Sequence, residues 1–177
     1  MQKLIYYVAA SLDGFIARED GSFSDFVMDD EIVAHFMASL EQFGAVLMGR
    51  KTYEIGLAEG KTNPYPMLES HVVSRSLKAE SYPAVNTIAS DIEDAVVNIK
   101  ATAKKPVWLC GGGELAGKLN EIGLIDEVWI KLNPIVLGKG IPLFGGRGIP
   151  GFLTLTDQQV LKSGVVVLKY KAVGSRQ

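Results

Sequence analysis

The chain has 177 residues, of which 47% are hydrophobic, and its 18 basic and 20 acidic residues give a formal net charge of −2 at pH 7. A chain of this length is expected to form one domain, residues 1–177, with a buried core and room for a pocket. The slight acidic excess disfavours nucleic acids and membrane surfaces as partners, because binding to either needs a basic surface. One cysteine and two histidines exclude an internal disulfide and a Cys/His zinc site, so no metal is expected.

The N-terminal segment lacks the pattern of a secretory signal. Apolar runs stay well short of the ~18 residues that a membrane span requires. Cys110 has no partner for a disulfide, as is usual in a reducing compartment. We therefore expect a soluble protein of the cytoplasm.

Short apolar runs rich in β-forming residues alternate with segments whose apolar residues recur every three or four positions. The first pattern predicts eight strands, at 4–10, 45–48, 71–74, 86–89, 107–110, 127–132, 153–161 and 165–170. The second predicts helices at 32–40, after Thr52, at 92–99 with Ser90 as the N-cap, and at 115–122. Lys162-Ser163-Gly164 predicts a hairpin between the last two strands. The alternation indicates an α/β fold whose mostly parallel sheet ends in an antiparallel hairpin.

The strand at 45–48 ends in Gly49, followed by Arg50, Lys51 and Thr52, whose hydroxyl is suited to cap the next helix. The N-terminus of a helix attracts phosphate through its free N–H groups and its dipole. Arg50 adds a planar donor that suits a terminal phosphate, and Lys51 adds a second positive charge. This segment alone favours a phosphate site and a capped turn with solvated cations equally.

Three consecutive glycines, Gly111 to Gly113, follow the strand at 107–110 and open the next helix. Two known phosphate-binding motifs are nearly matched. The P-loop pattern fails at Leu119, where Ser or Thr must reach magnesium, and the dinucleotide fingerprint lacks the later acid that holds a ribose. Successive glycines let a ligand approach the backbone closely, whereas a tight turn alone needs only one. The segment therefore predicts a pyrophosphate site.

A third polar strand end is formed by Ser74 and Arg75, which could close around an adenosine or its phosphate. A simple polar exit from the strand is slightly favoured by this segment alone. Two glycine junctions in one small α/β domain nevertheless point to a nucleotide with separated phosphates.

Four segments, in this order along the chain, resemble the dihydrofolate reductase-like superfamily: residues 10–17, 48–54, 110–113 and 133–144. They are most similar to the C-terminal reductase domain of the riboflavin-biosynthesis bifunctional protein and its stand-alone bacterial relatives. The resemblance spans essentially the whole chain. It implies a three-layer α-β-α fold with an eight-stranded sheet, NADPH as the hydride donor, and a homodimer formed through the C-terminal hairpin.

The resemblance also implies which residues contact the cofactor. The nicotinamide would be lined by Ala10, Ile16 and Ala17. The phosphates near the adenosine would be held by Gly49, Arg50, Lys51 and Thr52, with Ser74 and Arg75 beside the ribose phosphate. The pyrophosphate would rest on Gly111, Gly112, Gly113, Glu114 and Leu115.

Departures from the family pattern bear on the substrate. Riboflavin-pathway members typically carry Lys where this chain has Phe15 and Glu where it has Cys110, and folate reductases carry a carboxylate where it has Val33. The resemblance implies reduction of a flat nitrogen heterocycle, either a pyrimidine of the 5-amino-6-(5-phosphoribosylamino)uracil type or a pteridine. Three aromatic residues are expected to contact that ring: Phe15, Phe36 and Tyr53.

Reduction also needs a proton, which a carboxylic acid could supply. Asp13 and Asp30 are the candidates, although Asp13 also suits a turn before Gly14, and Asp30 suits the start of a helix. Cys110 is expected to be a small buried residue rather than a nucleophile. Because no proton donor is certain, a nucleotide-binding sensor without turnover stands as the alternative to an NADPH-dependent reductase.

Overall fold

The computed structural model describes residues 1–173, which form strands, helices and a single 3₁₀ turn at Ala79–Ser81. The strands are β1 (Leu4–Ser11), β2 (Phe15–Ala17), β3 (Ala45–Gly49), β4 (Glu69–Val73), β5 (Asn86–Ile88), β6 (Val107–Gly111), β7 (Glu127–Asn133), β8 (Ile141–Pro142), β9 (Leu153–Val160) and β10 (Val166–Ala172). The helices are α1 (Asp30–Leu40), α2 (Arg50–Ala58), α3 (Ile92–Thr102) and α4 (Gly113–Glu121).

Eight of the strands form one sheet in the order β5-β4-β3-β6-β1-β7-β10-β9. The first six are mutually parallel, and β10 runs antiparallel to both β7 and β9. The eight predicted strands and the C-terminal hairpin are therefore confirmed. The separate ribbon of β2 and β8 was not predicted, since its strands have only three and two residues.

Alternation along the central strands gives the sheet two buried faces. On one face, Leu4 and Tyr6 of β1 pack with Val96 of α3 and Leu119 of α4. On the other face, side chains of β1, β3, β6 and β7 pack against α1 and α2. They include two tryptophans, Trp108 of β6 and Trp129 of β7. Helices on both faces of a mostly parallel sheet give the expected three layers.

Two helices begin differently from the prediction. The N-cap of α2 is Gly49, with no side-chain cap, so Thr52 lies inside the first turn. The N-cap of α3 is Asp91, at φ 48°, while the Ser90 hydroxyl donates to the Asp91 carboxylate. Both predicted caps are wrong, because a hydroxyl near a helix start does not cap it unless it lies one residue before the first turn.

The parallel strands end at one edge of the sheet. The carboxyl ends of β1, β3, β4 and β6 bring Ser11, Gly49, Val73 and Gly111 to this edge. In open α/β sheets, ligands bind at this edge. Within residues 1–173, every helix is too short or too polar to span a bilayer.

Candidate active site

A cleft of about 1910 Å³ runs along this edge of the sheet. It is bordered by the ends of the parallel strands, the first turns of α2 and α4, and the loop between β2 and α1. Pockets for drug-sized ligands usually measure roughly 300–1,000 Å³. The cleft therefore has room for a dinucleotide and a second molecule.

The two glycine junctions meet in this cleft. A methyl group built on Gly49 would lie 3.4 Å from the backbone nitrogen of Gly112, so the N-termini of α2 and α4 are adjacent. Neither N-cap, Gly49 or Gly112, has a side chain that accepts from the first turn. The first-turn N–H groups of two helices thus lack a side-chain acceptor, which suits them to bind an anion.

The three consecutive glycines are glycines for different reasons. Gly111 has φ +142°, which disfavours any side chain. A methyl group on Gly113 would lie 2.5 Å from the Pro142 carbonyl oxygen, so backbone packing requires this glycine. At Gly112 a methyl group would meet only the Thr52 hydroxyl, at 3.5 Å. The expectation that a turn needs just one of them is wrong, because the backbone requires glycine at both 111 and 113, whereas Gly112 would tolerate a methyl group in ordinary contact with Thr52.

Cations and hydroxyls surround these junctions. Arg50 is exposed and forms an ion pair with Glu54, at 2.8 Å between Nη1 and Oε1. An exposed pair of this kind contributes little, about 0.3–0.5 kcal/mol, so a phosphate can replace Glu54. Lys51 and Arg75 are exposed along the cleft. Ser74 is buried, and its hydroxyl accepts from the backbone of residues 76 and 77, which fixes this turn.

Aromatic rings line another part of the cleft. The Trp108 ring lies edge-on to Phe36 and Tyr65, at 5.5 Å and 4.7 Å between centroids. Cys110 lies beside them, with its sulfur 4.0 Å from the Tyr65 hydroxyl. Burial raises the pKa of the Cys110 thiol to about 12, so it stays neutral and is not a nucleophile at physiological pH.

Lys131 of β7 also lines this aromatic part of the cleft. Its Nζ lies 4.5 Å from the centroid of Phe36 and 5.1 Å from that of Tyr7. Burial lowers the pKa of Lys131 to about 8, and the nearby Cys110 opposes this shift. Our sequence analysis missed Lys131. The sequence did contain a signal for it. Lys131 follows Trp129 by two residues, so both side chains lie on the same face of a strand that packs in the core.

A family model of the RibD C-terminal domain matches residues 2–169. The chain belongs to this family. A further relative, YwjB of Bacillus subtilis, is 32% identical over 147 residues, covering 81% of this chain and 83% of YwjB, and it is itself uncharacterised. Membership of the RibD C-terminal domain family indicates a reductase of the RibD and dihydrofolate reductase type.

Solved structures confirm the dihydrofolate reductase-like fold. A Shewanella sp. PV-4 protein whose name places it in riboflavin biosynthesis superposes with a TM-score of 0.81 at 24% identity, covering 97% of this chain and 99% of that one. Dihydrofolate reductase from Enterococcus faecalis, complexed with NADP(H), superposes with a TM-score of 0.69 at 17% identity, covering 96% of each chain.

Asp13 connects the end of β1 to the loop that follows β7. Its carboxylate accepts from the Ser11 hydroxyl at 2.6 Å and from the backbone of Leu137 and Gly138 at 3.1 and 2.7 Å. These hydrogen bonds, the one from Ser11 foremost, lower the pKa of Asp13. In this arrangement the Asp13 carboxylate holds the loop at Leu137 and Gly138 and lies outside the cleft lining, so the fold favours the structural role for Asp13 over the predicted catalytic one.

The acidic start of α1 does not supply a proton donor either. Asp30 is exposed in the first turn and lies outside the cleft lining. Asp29 caps the helix by accepting from Ile32, and Glu31 accepts from the backbone of Lys162. Val33 faces the cleft instead. The structure therefore does not bring Asp30 to the site where a catalytic role was predicted, and among the described residues of α1 no carboxylate reaches the cleft lining.

The structure places three other predicted contact residues outside the cleft lining. Ala10 is 2% exposed and lies outside the cleft lining, which its neighbour Ala9 joins instead. Phe15 pairs with β8 and also lies outside it. Tyr53 is fully buried and donates its hydroxyl to the Thr62 carbonyl. The remaining predicted contacts do line the cleft: Ile16, Ala17, Phe36, Gly49, Arg50, Lys51, Thr52, Ser74, Arg75, Gly111, Gly112, Gly113, Glu114 and Leu115.

Proposed function

We propose that this protein is an NADPH-dependent reductase that transfers a hydride to a flat nitrogen heterocycle. The observation that carries the proposal is the pair of glycine-capped helix N-termini that meet in one cleft, whose other wall is aromatic. When bound, NADPH would supply the hydride from its nicotinamide ring. The protein has to bind both molecules and orient them.

The residues present fit this cofactor. Gly112 has no side chain, and a methyl group there would meet only the Thr52 hydroxyl, so a pyrophosphate would reach the first turn of α4 and accept from its backbone N–H groups. Arg50 and Lys51 offer a cationic site for the 2′-phosphate that distinguishes NADPH from NADH. Ile16 and Ala17 would contact the nicotinamide.

The aromatic part of the cleft supports a flat, uncharged ring as the acceptor. Phe36, Tyr65 and Trp108 present ring edges and faces there, and Cys110 stays a neutral thiol. Cys110 also stands in this part of the cleft where the resemblance to riboflavin-pathway enzymes leads us to expect a glutamate. We therefore favour a pteridine or an unphosphorylated pyrimidine over a phosphoribosylated pyrimidine.

The proposal is tested by following the loss of NADPH absorbance with a panel of dihydropteridines, aminouracils (including 5-amino-6-(5-phosphoribosylamino)uracil) and quinones. We expect calorimetry to detect NADPH binding and at least one ring to give saturable turnover. Binding of NADPH without oxidation by any member would favour the non-catalytic sensor. Failure to bind NADPH would overturn both readings.

We also propose that two copies of the chain associate along β9. Every residue of this edge strand is exposed, including Leu153, Leu155 and Val160. β10 pairs with one side of β9, and the other side forms the edge of the sheet, which offers free backbone groups to a second strand. Light scattering should report a dimer, and Leu155→Lys should shift it to monomers at equal concentration. Thr154→Lys adds the same charge at a polar position and should remain dimeric. A monomeric wild type would contradict this proposal.

A further inference from the structure

The side chain of Lys131 lines the cleft, and its ammonium group has no ion-pair or hydrogen-bond partner within residues 1–173. It sits over Phe36 and Tyr7, at 4.5 and 5.1 Å from the ring centroids. Among residues 1–173, no carboxylate lies within ion-pair distance of Lys131, and no hydrogen bond from its side chain is formed. The cation therefore borders the cleft with two aromatic rings beside it and no anion to pair with among the described residues.

Two other lysines show how this fold normally accommodates such a side chain. Lys100 is buried, and its Nζ contacts the Asp126 carboxylate at 2.7 Å and the Leu124 carbonyl at 3.1 Å. Lys169 lies over the Trp129 ring and also pairs with Asp157 at 3.0 Å. Burying an unpaired charge destabilises a protein. The unpaired charge of Lys131 therefore does not stabilise the fold, and contact with a ligand explains its position better.

The groups around Lys131 leave it as the main proton source at this end of the cleft. Tyr7 of β1 and Cys110 of β6 lie near Lys131, and Tyr65 lies beside Cys110; burial raises the pKa of all three, so they stay neutral. His35 of α1 lies 3.3 Å from the Tyr7 hydroxyl. Its pKa is lowered by burial and by the charges of Lys131 and of Lys169 on β10, so it is neutral at pH 7.

We propose that Lys131 is a catalytic residue, which donates the proton that accompanies hydride transfer to a C=N bond of a heterocycle lying against Phe36. The inference rests on the proposed function and adds the proton donor to it. Hydride adds to the carbon, the π bond breaks, and its electron pair takes the proton from Nζ to form an N–H bond. Lys131 is left as a neutral amine and regains its proton from water.

Lys131 would take the role of a carboxylic acid, since no carboxylate among the described residues of α1 reaches the cleft lining. α1 offers Val33 at the cleft wall, and Asp13 is held by a loop. A lysine that titrates near pH 8 is protonated at neutral pH, yet it releases its proton more readily than an ordinary lysine. The acceptor should therefore carry its basic nitrogen, or a conjugated oxygen, on the edge that faces β7.

The experiment compares Lys131→Met, Lys131→Arg and the control Lys169→Met with the best acceptor of the panel. Arginine keeps the charge but does not release its proton, so both Lys131 variants should lose kcat by about 100-fold or more. Wild-type kcat should fall as pH rises through about 8, because the amine form cannot donate. Lys169→Met should keep kcat and the pH profile. An active Lys131→Arg with an unchanged profile would reduce Lys131 to an anion-binding residue and overturn the proposal.

A second readout needs neither cofactor nor substrate. At pH 7 the native state must hold Lys131 charged and partly buried, so Lys131→Met should raise the midpoint of urea unfolding. The gain should shrink as pH rises from about 8 towards the ordinary lysine value, because the native lysine loses its charge first. Lys169→Met, which breaks an ion pair, should show no such gain. A lowered midpoint for Lys131→Met would make Lys131 a structural residue. Loss of NADPH binding by the wild type would instead contradict the proposed function.

Discussion

Replacing Arg50 with alanine is expected to raise the Kd for NADPH by about 10- to 100-fold and to change the Kd for NADH by less than about threefold. The guanidinium stands at the first residue of α2, exposed and paired only with Glu54 within residues 1–173. The sole difference between the cofactors is the 2′-phosphate, so loss of its partner should affect NADPH alone. Quenching of tryptophan fluorescence reports both Kd values, because Trp108 lines the cleft.

Glu54→Ala is the matched control for Arg50. It removes the same surface ion pair from the other side, so Arg50 no longer has to leave Glu54 when a phosphate arrives. We expect an unchanged or slightly lower Kd for NADPH. Equal weakening of NADPH and NADH by Arg50→Ala would place the guanidinium at a shared phosphate, and no weakening would remove it from the site. A higher Kd for NADPH in Glu54→Ala would show that loss of the ion pair disturbs the start of α2. The effect of Arg50→Ala would then come from that disturbance rather than from the lost positive charge.

Periodicity predicted the strands well because each of the eight long runs is buried on at least one side or paired by a hairpin. It failed for β2 and β8, whose pairing joins residues about 125 positions apart and leaves no local pattern. It also failed at helix starts. The hydroxyls of Thr52 and Ser90 looked like caps, but the backbone places Gly49 and Asp91 there.

The phosphate end of the cleft was predictable, whereas the aromatic end was not. Gly49 to Thr52 and Gly111 to Leu115 are each contiguous, so a short motif contains the feature. Lys131, Phe36 and Tyr65 come from three distant segments and meet only in the fold. The position of Asp13 was unpredictable for the same reason, because the backbone groups that hold its carboxylate lie 124 and 125 residues further along.

The reasons for several glycines lie in contacts between distant segments, which a sequence motif does not contain. A run of three glycines suggested ligand binding at each, and Gly117 in the next helix entered only as part of the incomplete P-loop pattern. In the fold, a methyl group on Gly117 would lie 2.3 Å from the Phe144 carbonyl oxygen and 2.8 Å from Cβ of Arg147. Gly113 meets the same loop at Pro142. Both glycines therefore let residues 142–147 press against α4 and support the turn at Gly112.

Gly117→Ala is accordingly expected to destabilise the protein by about 2 kcal/mol or more in urea unfolding, although alanine is the better helix former by about 1 kcal/mol. The methyl group collides with backbone, which cannot swing aside as a flexible side chain can. The loop at 142–147 has to move away from α4, and it also contacts Gly113. We therefore expect the Kd for NADPH to rise by about tenfold or more in the folded fraction, because the first turn of α4 loses its support.

Gly151→Ala separates this effect from the general consequence of replacing glycine. Nothing lies within 4 Å of a methyl group at Gly151, so its stability should stay within about 0.5 kcal/mol of the wild type. If Gly117→Ala were as stable as Gly151→Ala, the loop would not be packed against α4 as described. If Gly117→Ala were unstable yet bound NADPH normally once folded, the loop would stabilise the fold without shaping the phosphate site.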